Sequence, residues 1–164
     1  MEIKINDAAL AAAAQEGMDA FVGVVTSAIS DAIGGELTAD NMALLNTDQI
    51  ALLAYDILRE EVMDGGFVQL IHNGYGAFIF RNPFAKVMKM WGLTDLGRLI
   101  SKAHAAYGKY HEQIEQDCTD DEFMALFEQY PEFDDFDDDF VANEEQWTSM
   151  VACYIDDNMD RFIQ

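Results

Sequence analysis

The segment from Phe133 to Phe140 combines phenylalanine with aspartate, in the order Phe-Asp-Asp-Phe-Asp-Asp-Asp-Phe. Its phenylalanines recur at i, i+3 and i+7, which places them on one side of a helix while the five aspartates point elsewhere. Aspartate is a poor residue for a helix interior, so an ordered loop is an equal alternative. In either conformation, three buried aromatic rings would hold five carboxylates in a fixed fan.

Other carboxylates extend this acidic region in both directions along the sequence. On the last predicted helix they lie away from the aromatic face, and helical residues four apart have Cβ atoms about 5–6 Å apart. Such rows form a regular line of fixed negative charges, although an ordinary solvated helix face has the same pattern. The carboxylates that we predict to bind a partner are Asp134, Asp135, Asp137, Asp138, Asp139, Glu144, Glu145, Asp156, Asp157 and Asp160, with Asp117, Asp120 and Asp121 as a second line.

Calcium binding is the first chemical alternative, because clustered aspartates are hard oxygen ligands. An EF-hand loop that begins at Asp135 would have Phe140 at its glycine position and Gln146 in place of the terminal bidentate glutamate. Two required positions therefore fail, and we predict no metal site of this type. Loose binding of divalent cations at the surface stays open as an alternative.

Sequence signatures of enzymes are scarce. His104 and His111 would share a helix face, but they would lie about 10 Å apart along the axis, too far for one metal ion without a bend. The chain has no zincin motif, P-loop, nucleophile elbow or dinucleotide fingerprint. Acidic neighbours should raise the pKa of the Cys118 thiol, which disfavours a nucleophile. We therefore predict a protein that is not an enzyme, without cofactor or metal.

The formal net charge of −22 is distributed unevenly along the chain. Residues 112–164 hold 18 acidic residues and one base, whereas residues 1–111 hold 13 acidic and 8 basic residues. Direct binding to nucleic acid or to an anionic membrane is disfavoured because like charges repel. Most of the bases form a basic patch, which we expect either to pair with the acidic part or to mediate self-association. The basic patch comprises Arg81, Lys86, Lys89, Arg98, Lys102 and Lys109.

The length of 164 residues, 51% of them hydrophobic, suits a single domain with one sizeable core. We divide that domain into a core-forming part over residues 1–111, which contains the basic patch, and a strongly acidic helical part over residues 112–164. No apolar run approaches the length of a transmembrane helix. The N-terminus lacks the layout of a secretion signal, and Cys118 and Cys153 make no disulfide framework, so we expect a cytoplasmic protein.

Helical spacing of apolar residues dominates, and we predict an all-α fold of about seven or eight helices. In the first half of the chain, the predicted helical segments are residues 8–33, Thr38 to about Asn46, a helix that has Thr47 as its N-cap and ends at Gly65-Gly66, and a short amphipathic segment from Phe67 to Ile71. In the second half, they are Pro83 to Trp91, Thr94 to about Ile114, a helix that has Thr119 as its N-cap, and roughly residues 143–162. The best candidate for a strand is Ala77–Phe80, and it is short.

The stretch from Glu61 to Asn73, Glu-Val-Met-Asp-Gly-Gly-Phe-Val-Gln-Leu-Ile-His-Asn, resembles a motif of a bacterial family, the nineteen-kilodalton DNA-mimic proteins. The recurring pattern is Glu-Val-x-Asn-Gly-Gly-Phe-x-Gln-aromatic-x-x-Asn, from which this sequence departs at Asp64 and Leu70. Tyr130-Pro131 and the stretch 154–158 also fit the family outline. The resemblance therefore covers most of the chain after about residue 45.

The motif itself is expected to have a structural role. Its glycines would turn the chain out of one helix, and Phe67 would enter the core. Gln69 and Asn73 could satisfy backbone groups in that turn.

The resemblance implies an all-helical protein, monomeric or homodimeric, whose acidic surface imitates duplex DNA. Such a protein would occupy the DNA-binding surface of a transcription factor, and we expect a helix-turn-helix regulator that could no longer hold its operator. The alternative is an acidic interaction protein, similar to an antitoxin, that neutralises a basic partner without DNA mimicry. A third class, an enzyme that uses scattered carboxylates, would require a deep pocket with acids of raised pKa.

Overall fold

The computed structural model describes residues 2–163, and over that range the chain forms ten α-helices and no strand, which confirms the all-α prediction. The helices are α1 (Asp7–Glu16), α2 (Met18–Ala32), α3 (Ala39–Met42), α4 (Thr47–His72), α5 (Gly76–Phe80), α6 (Phe84–Met90), α7 (Thr94–Ile114), α8 (Asp120–Gln129), α9 (Asp134–Asp157) and α10 (Met159–Phe162). No helix within residues 2–163 combines the length and the apolar character that crossing a membrane requires.

The chain divides into two compact units. The first unit comprises Met1–Asp56 with Glu145–Gln164, and the second comprises Ile57–Glu144. The first holds 13 acidic and 2 basic residues and the second 18 and 7, so that each has a formal net charge of −11. The organisation as a single domain stays a prediction.

The predicted first helix over residues 8–33 is wrong in one respect, because two helices occupy this segment. Gly17 separates α1 from α2 with a φ of 152°, a value that residues with a Cβ rarely adopt. The apolar periodicity continues across this break, so spacing alone did not reveal it. In α2 the side chains of Phe21, Val25 and Ile29 are buried in the first unit.

The start of α4 also differs from the prediction. Asn46, not Thr47, caps this helix, because its Oδ1 accepts from the backbone N–H of Gln49 at 2.8 Å. The Gln49 side-chain oxygen accepts from the backbone N–H of Asn46 at 2.9 Å in return, which completes a capping box. Thr47 is therefore the first helical residue, so the helix begins one position earlier than predicted.

The glycine pair at 65–66 interrupts the regular helix, as predicted, and produces a kink within α4. Gly65 and Gly66 both have non-helical backbone angles, with a φ of 75° and a ψ of −175° at Gly66, and a second helical segment follows as far as His72. The following segment was predicted to be amphipathic, yet Phe67, Val68, Leu70 and Ile71 are all buried, because this turn of helix lies inside the second unit.

The basic patch lies on α6 and α7 and on Arg81, the residue directly after α5. The strand candidate Ala77–Phe80 is helical and belongs to α5, since a short apolar run has the same composition in either structure. The predictions for α6 and for the start of α7 at Thr94 are confirmed. Helices α6 and α7 approach closely at Gly97, where a Cβ would lie 2.9 Å from the carbonyl oxygen of Ala85.

The acidic part contains α8, α9 and α10. Thr119 caps α8 as predicted, because its hydroxyl accepts from the backbone N–H of Glu122 at 3.2 Å. The last long helix begins at Asp134, nine residues before the predicted start at 143, and ends at Asp157. Of the two conformations considered for the phenylalanine–aspartate segment, the helix is therefore present. A separate short helix, α10, follows it.

Candidate partner-binding surface

Two buried phenylalanines anchor the first turns of α9 in the second unit. Phe133 and Phe140 each have 0% of their surface exposed, and Phe136 is half-buried between them. The Phe136 ring makes edge contacts with Phe133 at a centroid distance of 6.3 Å and with Phe67 at 6.5 Å. Aromatic pairs in this geometry add to the stabilisation from burial. The predicted aromatic anchor is thus present, although two of its three rings are buried and the third, that of Phe136, is half-buried.

Four exposed aspartates on these turns form what we call the acidic stripe: Asp134, Asp135, Asp138 and Asp139. They make two i, i+4 pairs, whose Cβ atoms lie about 5–6 Å apart. At a rise of 1.5 Å per residue, the four charges fall within about 7.5 Å, or one per roughly 2.5 Å of helix axis. Duplex DNA carries one charge per about 1.7 Å of its axis. The linear charge density of the acidic stripe is therefore about two-thirds that of DNA.

Asp137 does not belong to this exposed set, so the expected fan of five carboxylates is wrong for this residue. Its Oδ1 accepts from the backbone N–H of Phe67 at 2.8 Å, at the kink of α4. Burial raises the pKa of Asp137 to about 7; the bond from Phe67 opposes that rise, and the charges of Asp134 and Asp138 add to it. The partner of this side chain is 70 residues away, so local spacing gave no sign of its role.

Gly66 makes room for this carboxylate. A Cβ at Gly66 would overlap the side chain of Asp137, and the positive φ of this residue also favours glycine. The glycine pair of the motif therefore both bends α4 and allows α9 to approach its backbone.

The polar residues of the motif act differently from the prediction. Gln69 and Asn73 were expected to satisfy backbone groups, but they donate to carboxylates. The Gln69 side-chain amide donates to Glu61 and to Asp64 at 2.9 Å each, and the Asn73 amide donates to the same oxygen of Glu61 at 2.9 Å. These bonds join the turns of α4 on either side of the kink. The structural role expected for the motif is thus present with other partners.

Glu144 has an internal partner. Its Oε1 accepts from Nε of Arg59 at 2.6 Å, and the two side chains are 12% and 29% exposed. This carboxylate is therefore mostly buried and neutralised within the second unit. Sequence reasoning missed Arg59, which lies 85 residues earlier and outside the basic patch.

The second line of carboxylates surrounds the start of α8. Asp117, Asp120 and Asp121 are exposed, and the last two lie in the first turn, where the helix dipole favours negative charge.

The Cys118 thiol beside these carboxylates is half-buried. Burial is the largest cause of its raised pKa, and the nearby acids raise the pKa further, which confirms the expectation from sequence.

In the first unit, the predicted carboxylates Glu145, Asp156, Asp157 and Asp160 are all exposed. This unit has two basic side chains, and both make ion pairs with carboxylates. Lys4 lies 3.4 Å from Glu2, and Arg161 lies 3.6 Å from Asp48. The first unit therefore presents a negative surface with little internal compensation.

All six side chains of the basic patch are exposed. Arg98 lies 3.7 Å from Asp95, while Arg81 lies over the ring of Tyr107 and Lys109 over that of Tyr110. Among residues 2–163, none of the six makes an ion pair with an acid of residues 112–164. The charges of Lys109 and Glu132 nevertheless interact, so both roles considered for the patch, pairing with the acidic part and self-association, stay predictions.

Metal binding was considered for the same acidic residues. In the part of the chain that the structure describes, no group of three or more histidine, cysteine, aspartate or glutamate side chains is arranged to hold a metal ion.

The fold and this surface together define an all-helical, strongly acidic protein with fixed clusters of exposed carboxylates. The chain belongs to the DMP19-like protein family, whose model matches residues 43–158. It is 34% identical over 124 residues to a protein of Neisseria meningitidis serogroup B (strain ATCC BAA-335 / MC58) with the name DNA mimic protein DMP19, and the match covers 75% of each chain. The resemblance inferred from the glycine-containing motif is confirmed.

Proposed function

We propose that this protein is a DNA mimic that binds the DNA-recognition surface of a transcription factor. The observation that carries the proposal is the acidic stripe, in which buried phenylalanines hold four aspartates at about two-thirds of the linear charge density of duplex DNA. The printed name of the Neisseria relative supports the same function. The other exposed carboxylates that we assign to the binding surface are Asp117, Asp120, Asp121, Glu145, Asp156, Asp157 and Asp160.

The mechanism is occlusion of the DNA-binding surface. A DNA-binding protein gains much of its affinity when lysine and arginine neutralise phosphates, and fixed carboxylates offer those cations an alternative partner. Arginine can bind a carboxylate through two parallel hydrogen bonds, as it binds phosphate. The partner is a helix-turn-helix regulator in the cytoplasm, and while bound it is unable to hold its operator. The protein needs no catalytic residue for this role.

Asp137 and Glu144 have a different part in the proposal. Both are engaged inside the second unit, by the Phe67 backbone and by Arg59, so they support the surface without contacting the partner.

Competition with duplex DNA tests the proposal. The protein is immobilised, exposed to extract of its own cells, and washed with rising salt or with duplex DNA. We expect the retained regulator to leave with DNA, and its affinity to fall steeply with salt because several ion pairs are exchanged for counterions. Retention of the partner in excess DNA would refute mimicry and favour the alternative, neutralisation of a basic partner that does not bind nucleic acid.

A charge-matched pair of variants locates the surface. In the first variant the four aspartates of the acidic stripe become asparagine, and in the second Asp31→Asn, Glu36→Gln, Glu60→Gln and Glu112→Gln remove four exposed charges outside the predicted set. Each lost ion pair lowers the slope of log affinity against log salt by roughly one. We expect the first variant to lose most of its affinity for the regulator and the second to retain it. Equal losses would show that only the total charge matters.

A further inference from the structure

An apolar groove lies on the first unit, among three helices. It has a volume of about 190 Å³ and is lined by Ala14, Met18, Phe21, Ala152, Cys153 and Asp156. Met18 is 49% exposed at this site, although an unbranched apolar side chain is usually covered. An apolar cavity of about 150 Å³ can hold a benzene molecule, so the groove has room for one aliphatic or aromatic side chain.

The charge around the groove restricts what can occupy it. Asp156 is the one charged residue of the lining, and it makes no ion pair among residues 2–163. Both basic side chains of the first unit are paired with carboxylates elsewhere, and the unit has a net charge of −11. An acidic polypeptide that carries an apolar side chain would be repelled by this negative surface, and a neutral one would not be attracted to it. A cationic polypeptide with the same apolar side chain would be attracted electrostatically.

We propose that this groove binds one large apolar side chain of the partner protein, with an arginine or lysine beside it that pairs with Asp156. The inference rests on the proposed function and deepens it, because the occupant belongs to the regulator that the acidic surface binds. The partner is therefore distinguished by an apolar residue within its basic surface.

The groove provides partner specificity, which imitation of the DNA charge alone does not provide. Phosphate-like contacts are largely independent of sequence, so a purely electrostatic mimic would bind many DNA-binding proteins. DNA phosphates offer no equivalent of this groove, and apolar burial depends little on salt. The groove thus selects one partner among proteins with similar basic surfaces, and its contribution persists when salt weakens the ion pairs.

Two peptides of equal charge test the inference on the intact protein. Both are rich in arginine, and they differ only at a central residue, which is leucine in one and alanine in the other. Partial burial of leucine in an open groove should make the leucine peptide bind about fivefold more tightly. Fluorescence anisotropy at a series of salt concentrations should show that the affinities of both peptides fall in parallel as salt rises, while the ratio of the two affinities stays constant.

Matched variants assign the difference to the groove. Ala14→Phe would fill it without removing a charge, whereas Ala12→Phe places the same ring on an exposed position about 160° around α1. We expect the affinity ratio of the two peptides to fall to about one in the first variant and to persist in the second. Asp156→Asn should weaken both peptides similarly and leave the ratio unchanged. Circular dichroism confirms that each variant is folded.

A measurement on the wild-type protein keeps the test decisive if Ala14→Phe does not fold. Cys153 is exposed and lines the groove, so the leucine peptide should slow its alkylation by a maleimide while the alanine peptide should not. Cys118, in the second unit, serves as the internal reference. Equal affinities of the two peptides, equal protection of Cys153, or an unchanged ratio in folded Ala14→Phe would each overturn the inference. Failure of DNA to displace the regulator would instead overturn the proposed function, without affecting the peptide ratio.

Discussion

Replacement of Asp137 by asparagine should stabilise the protein, and the gain should depend on pH. The carboxylate is half-buried, and its pKa rises from 3.8 to about 7 in the folded protein. Because burial disfavours the charged form, the folded state binds a proton that the unfolded state releases, and stability declines as pH rises from about 4 to about 7. The wild-type protein therefore bears the full cost of this charge above about pH 7 and none below about pH 4.

The expected gain can be bounded from the structure. A change of about three pKa units corresponds to about 4 kcal/mol as an upper limit, since one unit is about 1.4 kcal/mol. Solvent reaches part of this side chain and screens the charge, so we expect about 1–2 kcal/mol above about pH 7. The amide oxygen of asparagine can still accept from the Phe67 N–H, which is 2.8 Å from Asp137 Oδ1. The hydrogen bond is thus retained while the buried charge is removed.

Urea unfolding at a series of pH values measures this effect. Asp139→Asn is the matched control, because it removes the same charge from an exposed residue two positions away and leaves in place Asp134 and Asp138, whose charges raise the pKa of Asp137. The difference in unfolding free energy between the two variants should be close to zero near pH 4 and should grow to its full value above pH 7. An equal gain in both variants would show that relief of general repulsion is the cause, and a loss of stability in Asp137→Asn at high pH would refute the reasoning.

Three further predictions concern the second unit and the two thiols. Gly66→Ala should destabilise the protein by about 2 kcal/mol or more, because the new methyl group needs a strained φ and overlaps a carboxylate of α9; an unchanged urea midpoint would contradict this. Arg59→Met should cost about 1–3 kcal/mol, because it removes the cationic partner of the mostly buried Glu144 carboxylate, and addition of Glu144→Gln should recover much of the loss. If Glu144→Gln does not restore stability, the loss of unfolding free energy is due to the lost packing of the aliphatic part of Arg59. Cys153 should react with a maleimide faster than Cys118, whose thiol pKa is raised, and mass spectrometry of the labelled peptides checks the order.

The features predicted well from sequence are those set by neighbouring residues. The start of α7 at Thr94 and the cap of α8 at Thr119 depend on contacts within one turn of helix, and both are present. Where two candidate caps lie side by side, as at residues 46 and 47, the choice depends on which backbone conformation the rest of the helix imposes. Local patterns then locate the helix but not its first residue.

The features that sequence reasoning missed depend on distant partners. Phenylalanine spacing favoured a helix at the start of α9, while the poor helix propensity of aspartate left a loop as an equal alternative. In the structure Asp137 bonds to the backbone of α4, 70 residues away. The same distance explains why that residue was grouped with the exposed aspartates. Arg59 was missed for a similar reason, since Glu144 lies 85 residues further along the chain.

The aromatic anchor under the first turns of α9 has a consequence for the speed of binding. Phe133 and Phe140 are fully buried, so the backbone that carries the aspartates is already ordered before a partner arrives. A disordered acidic tail would spend about 1–2 kcal/mol per residue on ordering its backbone when it docked. A surface ordered in advance avoids that expense, and its long-range attraction raises the rate of encounter. We therefore expect rapid capture of a regulator as it dissociates from its operator.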